Sequence, residues 1–380
     1  MTAIRTLPHK LAPVIGSALL ILVPFARAQL YQQFNLVTDD QNANSAKIED
    51  SSLVNAWGVS FGPSTPFWVS DNASGVSTLY SVNPITDTPV KAGLTVTTGG
   101  GGNPTGQAFN PQASSGAFNH DAFLFVGEDG TISGWRGALG TAAEILQTGD
   151  TANVYKGTTV DTVGGHEYLL SANFRAGTID VLKGDNGAPN LTGKFTDPNL
   201  PAGFAPFNIR ELAGKLYVTY AMQDSFKHDD VPGAGLGFVN EFDLQGNLIT
   251  RIATQGTLNS PWGLEIAPPE FGPIAGDLLV GNFGDGTINT FDPNGGGFKG
   301  QLDGPDGKPL SIDGLWALTV GNNGSGGSSD KLYFSAGPSG ESHGLFGLVL
   351  QVPDAGSTLI LLAMSLCGMA VWSQASKSSS

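Results

Sequence analysis

Short runs of alternating hydrophobic and polar residues, separated by turn-forming residues, fill the chain between residues 30 and 350. Each run has the length and the period-two pattern of a β-strand. The clearest triplets of runs read NAWGVSF, PFWVSD, GVSTLYSV; then SPWGLEI, DLLVGN, GTINTFD; and finally DGLWALTV, KLYFSA, HGLFGLVL. This pattern predicts an all-β domain.

The triplets recur six times. Counted by their first strands, the units are marked by Trp57, Gly106, Thr158, Phe207, Trp262 and Trp316. The spacing is roughly 50 residues, which is the period of propeller blades. Six such units predict a six-bladed β-propeller of the NHL or lactonase-like kind over residues 29–350.

A fourth, outer strand follows most triplets. Candidates are LTVT, EILQTG, KFTD, LITRIA and FKGQL. The sixth unit has no room for one, and we expect the isolated strand YQQFNLV, residues 31–37, to complete that blade and close the ring, which removes a free sheet edge. The tryptophans that begin units one, five and six are expected to pack between neighbouring blades.

Composition narrows the function. Charged residues make up only 13% of the chain and the formal net charge is −15. A nucleic-acid-binding protein needs a basic surface, and anionic lipids also favour one, so neither is an expected partner. The one cysteine, Cys367, lies near the C-terminus, which leaves the body without a disulfide, a thiolate metal site or a cysteine nucleophile.

Both ends read as targeting segments. Residues 1–28 combine basic residues, an apolar stretch and Ala26-Arg27-Ala28, the pattern of a cleaved secretory signal peptide. Residues 351–380 form a tail whose apolar run from Thr358 to Trp372 is shorter than the roughly 20 residues that cross a bilayer comfortably. We expect the tail to be a transient membrane anchor that is removed near Ala355.

Propeller topology places the loops between second and third strands on one face, beside the segments that lead into the first strands. These loops are rich in polar residues, and the loop over residues 221–237 is the longest, as expected of a binding loop. The candidate binding residues on this face are Asn173, Arg175, Asp224, His228, Asp229, Asp230, Asn282 and Asp285.

The same face offers an alternative. Asparagine and aspartate oxygens around a central channel could hold Ca²⁺. The candidate ligands are Asn55, Asn103, Asn208, Asn259 and Asp313. In ESHGLFG, Glu341 and His343 are the candidate base and ligand of a catalytic site. Asn and Asp are also the usual turn residues, so a purely structural role competes with both interpretations.

The tail carries a resemblance. VPDAGST followed by an apolar stretch resembles the VPDSG type of PEP-CTERM sorting signal, with Val352, Pro353, Asp354, Gly356 and Ser357 as the motif. This resemblance implies an exosortase-type membrane protease as partner, transient membrane insertion, and export to the surface or exterior of a Gram-negative bacterium. Such tails usually end in a basic cluster, whereas here only Lys377 follows the apolar run.

The body also resembles a family of secreted bacterial proteins that often carry such tails. The matching segments are NAWGVSFGPSTPFWVSDN, NSPWGLEIAP, GDLLVGNFGDGTIN, IDGLWALTVGN and GPSGESHGLFG. The resemblance implies an extracellular propeller and transfers no catalytic residues. The sequence therefore favours a non-catalytic protein that binds a surface polysaccharide or another matrix component, and the alternative is a Ca²⁺-dependent lactonase-like hydrolase.

Overall fold

The computed structural model describes residues 29–352, which form six antiparallel sheets arranged as the blades of a β-propeller. The prediction of an all-β, six-bladed propeller is confirmed. The predicted signal peptide and almost all of the predicted sorting tail lie outside the described residues. Within residues 29–352, no helix is long and apolar enough to cross a membrane.

The first three blades follow one another along the chain. Blade 1 contains β3 (Ala56–Ser60), β4 (Phe67–Asp71), β5 (Val76–Val82) and β6 (Pro89–Thr97). Blade 2 contains β7 (Pro104–Phe109), β8 (Phe123–Gly127), β9 (Ile132–Trp135) and β10 (Glu144–Gln147). Blade 3 contains β11 (Tyr155–Val163), β12 (His166–Asn173) and β13 (Thr178–Lys183).

The last three blades complete the ring. Blade 4 contains β14 (Phe204–Leu212), β15 (Lys215–Met222), β16 (Gly237–Phe242) and β17 (Leu248–Thr254). Blade 5 contains β18 (Pro261–Ile266), β19 (Leu278–Asn282), β20 (Ile288–Phe291) and β21 (Phe298–Gln301). Blade 6 contains β22 (Leu315–Val320), β23 (Leu332–Ala336), β24 (Leu345–Val352), β1 (Leu30–Thr38) and β2 (Ile48–Glu49).

Helical structure in the described part of the chain is limited to 3₁₀ turns. These are Asn72–Ser74, Ala113–Ser115, Ala117–His120, Gly137–Leu139 and Pro269–Ile274. The second strands β4, β8, β19 and β23 are buried at every residue, because neighbouring blades cover both of their faces. The outer strands are partly exposed, as the alternation in β6 and β17 shows.

The N-terminal strand closes the ring, as the sequence predicts. Strand β1 pairs antiparallel with β24, from Leu30 opposite Val352 to Thr38 opposite Leu345. Leu36 and Val37 of this strand are fully buried. Blade 6 is therefore built from both ends of the described chain.

Blade 3 differs from the prediction because it has three strands. The segment KFTD, residues 194–197, was expected to be its fourth strand, and that expectation is wrong. Phe195 has a positive φ of 51°, which a strand does not accommodate. Its ring packs against Phe242 of blade 4, and its N–H donates to the carbonyl of Gly246, so the segment is held by the next blade.

The inner strands share one irregularity. In all six blades the pairing of first and second strands contains a β-bulge near the start of the first strand. The bulges place six equivalent residues around the channel. These are Trp57, Thr105, Lys156, Phe207, Trp262 and Trp316, called here the ring residues.

Candidate functional site

The aromatic members of the ring residues fill the centre of the channel. Trp57 and Trp316, from neighbouring blades, stack with ring centroids 3.7 Å apart, and Phe283 stacks on Trp316 at 3.8 Å. Trp262 and Phe207 approach the same indole at 6.0 and 5.9 Å. The predicted packing role of these tryptophans is confirmed, and the stack separates the two ends of the channel.

Lys156 is the charged member of the ring residues. Its side chain is only 2% exposed, and its Nζ lies 5.1 Å from the centre of the Trp57 ring. A buried ammonium requires partners. Glu128 Oε1 lies 2.5 Å from Nζ, and Asp229 Oδ1 lies 3.2 Å from it. These carboxylates come from the second-to-third-strand loops of blades 2 and 4.

Side-chain amides extend this cluster back to the aromatic stack. Trp316 Nε1–H donates to Asn55 Oδ1 at 3.0 Å, and Asn55 Nδ2–H donates to Asn72 Oδ1 at 3.3 Å. Asn72 in turn donates to Glu128 Oε2 at 3.1 Å. We call the continuous set the loop-face network. Its members are Trp316, Asn55, Asn72, Glu128, Lys156, Asp229 and His228.

The electrostatics follow from burial and these partners. Burial alone would lower the pKa of Lys156, but Glu128 and Asp229 outweigh it and raise that pKa above its usual value. Burial alone would raise the pKa of Asp229, but Lys156 and His228 together outweigh it and lower that pKa. Burial, together with repulsion from nearby carboxylates, raises the pKa of Glu341 to about 7. Lys156 therefore stays charged, while Glu341 titrates near neutral pH.

The two catalytic candidates, Glu341 and His343, have different surroundings in the structure. Glu341, at a positive φ of 66°, lies close enough to Lys156, Glu128 and Asp229 to sense their charges. The hydrogen bonds within residues 29–352 include none to its carboxylate. His343 is engaged elsewhere, because its Nδ1 lies 2.9 Å from Asp39 Oδ2. The imidazole of His343 therefore binds Asp39, and not Glu341.

The binding candidates of the long loop reach the centre in part. Asp229 bonds to Lys156, and His228 Nδ1 lies 2.9 Å from Asp229 Oδ1. Asp224 shapes the loop, since its Oδ1 accepts the backbone N–H of His228 at 2.8 Å. Burial raises the pKa of Asp230, whose Oδ2 is buried without a hydrogen-bond partner in the described residues.

The other binding candidates organise turns. Asn173 and Asn282 end the second strands of blades 3 and 5, where their Oδ1 atoms accept the backbone N–H groups of Val154 and Asn259. Asp285 accepts N–H and O–H from Thr287 and an amide from Asn259. Arg175 donates to the carbonyl of Thr151. These contacts match the structural role of turn residues.

The five calcium candidates do not form one ligand cage. Asn55 is buried in the loop-face network, and Asn259 is 8% exposed and holds the long loop through the N–H of Gly233. Asn103 and Asp313 are exposed, and Asp313 accepts the N–H of Ser339. Asn208 lies within β14, beyond Phe207, and donates to the carbonyl of Trp262 towards the other end of the channel.

One cluster in the described residues has metal-ligand geometry. Atoms of Glu128, His228 and Asp229 lie within 4.8 Å of one another. Both carboxylates already bind the Lys156 ammonium, and imidazole is not a ligand that Ca²⁺ prefers. The residues present therefore fit Ca²⁺ poorly, because a fixed internal cation occupies the carboxylate cluster.

Sequence reasoning missed Lys156, Glu128 and Asn72. A signal for Lys156 exists, since it precedes Gly157 as Trp57 precedes Gly58 in the first unit. The equivalent residue is aromatic in four other blades. A lysine at this position therefore indicates that this part of the ring makes polar contacts. Glu128 lies in the short turn GEDG, where turn propensity alone accounts for an acidic residue.

The opposite end of the channel holds a cavity of about 380 Å³. It is lined by the inner strands, including Gln107, Thr158, Asn208 and Arg210. The Arg210 guanidinium bonds to Glu265 and Thr319 of the next two blades. This side chain therefore ties three blades together beneath the aromatic stack.

Among curated proteins, the sequence is 31% identical over 292 residues to the uncharacterized protein R648 of Acanthamoeba polyphaga mimivirus, which covers 72% of this chain and 70% of that protein. This chain belongs to the same family as R648. The uncharacterized protein L690 of the same virus is 34% identical over 206 residues, 52% of each chain. No protein-family model matches the sequence.

Solved structures with related architecture are much more distant in sequence. A streptogramin B lyase is 10% identical, covers 85% of this chain and 98% of its own, and has a TM-score of 0.44. The periplasmic gluconolactonase PpgL of Pseudomonas aeruginosa is 15% identical over 78% and 85% of the two chains, with a TM-score of 0.43. A protein of unknown function from Bacteroides thetaiotaomicron is 13% identical over 85% and 76%, at 0.49. Likenesses of this size carry no inference about activity.

Proposed function

We propose that this propeller is a non-catalytic binding protein whose loop face holds a neutral, hydroxyl-rich surface polysaccharide. The observation that supports it is the convergence of Glu128, Asp229 and Glu341 from the loops of blades 2, 4 and 6 around the buried ammonium of Lys156. Carboxylates are strong acceptors for hydroxyl groups. The hydrogen-bond network fixes Glu128 and Asp229 before a ligand arrives, which lowers the entropic cost of binding.

The long loop that carries Asp229 also carries an exposed aromatic side chain. Phe226 is 79% exposed, on the same loop as Asp229. An exposed aromatic ring on a loop that also carries a polar acceptor suits a ligand with both apolar and hydroxyl-bearing surfaces. Acidic polysaccharides are disfavoured, because the loop-face carboxylates and the chain's net charge of −15 repel them.

The test is affinity electrophoresis in gels that contain dextran, galactomannan, alginate or no polysaccharide. We expect retardation by a neutral polysaccharide and none by alginate. Phe226→Ala and Asp229→Asn should reduce the retardation, whereas Phe298→Ala, an aromatic 52% exposed on the outer strand of blade 5, should not. Equal migration in all gels would refute the proposal.

A second candidate function is hydrolysis with Glu341 as general acid–base. The favouring observation is a carboxyl group with a pKa near 7, without a hydrogen-bond partner in the described residues, beside a fixed ammonium. Such a group can exchange protons at neutral pH. This candidate predicts turnover of lactones or other esters that Glu341→Gln abolishes while leaving the folded state intact.

The cation-dependent form of this hydrolase has its own test. A cation that binds only the folded protein raises the melting temperature by mass action. A stabilising shift with Ca²⁺ that EDTA reverses, and that Glu128→Gln removes, would support it. No shift with Ca²⁺ would leave the polysaccharide-binding proposal standing and remove the calcium-dependent alternative.

Export and sorting complete the proposal. The signal-peptide pattern in residues 1–28 and the VPDAGS motif support secretion followed by removal of the tail by an exosortase-type protease. The intact mass of protein exported from a Gram-negative host should correspond to a chain from Gln29 to about Ala355. Pro353→Ala should leave the tail attached, and a mature wild-type chain that still contains Ser380 would contradict tail removal.

A further inference from the structure

Blade 3 ends in an uncovered strand. The other five blades each have a further strand outside the third, whereas β13 is the last strand of its sheet. Residues 178–183 make no backbone hydrogen bonds in the described structure other than those to β12. One edge of β13 therefore presents free backbone donors and acceptors.

The register identifies which backbone groups are free. Gly184 N–H donates to the carbonyl of Glu167, so this pair is hydrogen-bonded across the ladder. Hydrogen-bonded pairs alternate in an antiparallel sheet. The residues of β13 whose N–H and C=O groups point away from β12 are therefore Ile179, Val181 and Lys183.

This edge is more regular than the other outer edges. The pairings of β6, β10, β17 and β21 with their inner neighbours all contain a bulge, which makes an outer strand a poor template for further pairing. The pairing of β12 with β13 runs over six residues without one. An added strand would therefore meet an unbroken ladder.

The edge also lies in a groove. Two cavities of about 510 and 420 Å³ run between β13 and the outer strand of blade 2, and Leu182 lines both. Apolar side chains supply part of each wall, among them Ile132, Val181 and Ile145. Asp150 and Asp180 lie at one end, which favours a cationic side chain there.

The position of the groove in the ring indicates which polypeptide would bind there. Blades 2 and 4 lie on either side of blade 3, and each has the fourth strand that blade 3 lacks, so the position outside β13 is that of one missing strand. Both ends of the described chain, Gln29 and Val352, lie at blade 6, on the far side of the ring. A segment of another polypeptide is thus favoured over a segment of the same chain.

We propose that blade 3 binds an extended segment of a partner protein, with alternating apolar residues and one basic residue, as its missing fourth strand. The segment pairs antiparallel with β13, as the fourth strands of blades 1, 2, 4 and 5 pair with their third strands. Backbone hydrogen bonds to β13 supply the affinity, and contacts between the groove and alternate side chains of the segment determine the specificity. This surface is separate from the loop face and does not depend on the polysaccharide proposal.

The probe is a capped synthetic peptide with the sequence of β17, LITRIAT, which carries one Arg among apolar residues. Binding to the full propeller is measured by fluorescence anisotropy and by amide hydrogen exchange. We expect slower exchange at Ile179, Val181 and Lys183 when peptide is added. A peptide with Glu in place of Arg should bind about threefold more weakly.

A matched pair of variants tests the backbone contact. Val181→Pro removes an N–H that faces the groove and leaves the β12–β13 ladder intact, while Val181→Thr keeps that N–H. Binding to the proline variant should be at least about tenfold weaker than to the threonine variant. Equal binding to both variants would overturn the proposal. So would protection of these three amides without peptide, or a dimer that Val181→Pro dissolves, since either result means that the chain covers its own edge.

Discussion

The Lys156 ammonium lies 2.5 Å from a carboxylate oxygen of Glu128, although the two residues belong to neighbouring blades. Lys156 comes from an inner strand and Glu128 from a loop at the face of the ring. Their side chains are 2% and 10% exposed. The pair thus links the wall of the channel to the surface where a ligand would arrive.

Removing the buried cation should destabilise the propeller. In Lys156→Met, Glu128 loses its counter-charge in a poorly solvated site and the more exposed Asp229 loses an ion-pair partner, and we expect a loss of about 3 kcal/mol in the free energy of unfolding. Adding Glu128→Gln to Lys156→Met should recover part of that loss. Urea denaturation of both single variants and the double variant measures the coupling; additive effects would contradict a shared ion pair.

Stability should fall as pH rises through the pKa of Asp161. Burial raises this pKa to about 7, assisted by repulsion from Glu211 and Glu167. The folded state then binds more protons than the unfolded state between about pH 4 and 7, so this carboxyl contributes stability at low pH that is lost towards pH 7.

Asp161→Asn should make the free energy of unfolding less dependent on pH, by up to about 1.4 kcal/mol per pH unit. Unfolding free energies at pH 5, 6 and 8 check it. The exposed Asp306→Asn serves as the control and should keep the wild-type slope. A steeper fall in Asp161→Asn than in the wild type would show the sign to be wrong.

Close packing of the inner strands should make a side chain at Gly58 destabilising. A Cβ at this position would lie 2.5 Å from the carbonyl oxygen of Thr105 in the next blade. We expect Gly58→Ala to lower the unfolding free energy by about 2 kcal/mol. Gly93→Ala, where no atom lies within 4 Å, should be nearly neutral. Thermal unfolding monitored by circular dichroism distinguishes the two.

The closing strand should matter through its buried face. Leu36 is fully buried in β1, whereas Phe34 is 37% exposed. Leu36→Ala is expected to cost about 3 kcal/mol of unfolding free energy, and Phe34→Ala less than about 1. Chemical denaturation gives both values. Similar losses would mean that β1 contributes pairing without core packing.

The repeat predicts the architecture because blade formation is local: each triplet carries its own alternation and turns. The closing role of β1 follows from the same pattern, since only the sixth unit lacks an outer strand. The absence of a fourth strand in blade 3 is not predicted, because KFTD has the alternation of a strand. In the structure, Phe195 of this segment packs against Phe242 of blade 4. Local pattern does not encode that contact.

The site is less predictable than the fold. The polar loops lie on the face that holds the charge cluster around Lys156, and Asp229 and Glu341 belong to that cluster, but Asn208 and Asp313 do not join them. The role of Lys156 is not predicted from the sequence, because it depends on contacts with residues far away in sequence. Thr158 marks the third unit in the sequence pattern, whereas the bulge places Lys156 in the ring.

The pairing of β1 with β24 has a consequence for the timing of folding. The two strands lie at opposite ends of the described chain, so the last blade cannot form until nearly all of the protein has been synthesised. Such non-local pairing is slow, because a long loop must close before any contact compensates for the lost entropy. Until β24 has been synthesised, β1 lacks its antiparallel partner, and this is the interval in which chaperones would protect the exposed strand from aggregation.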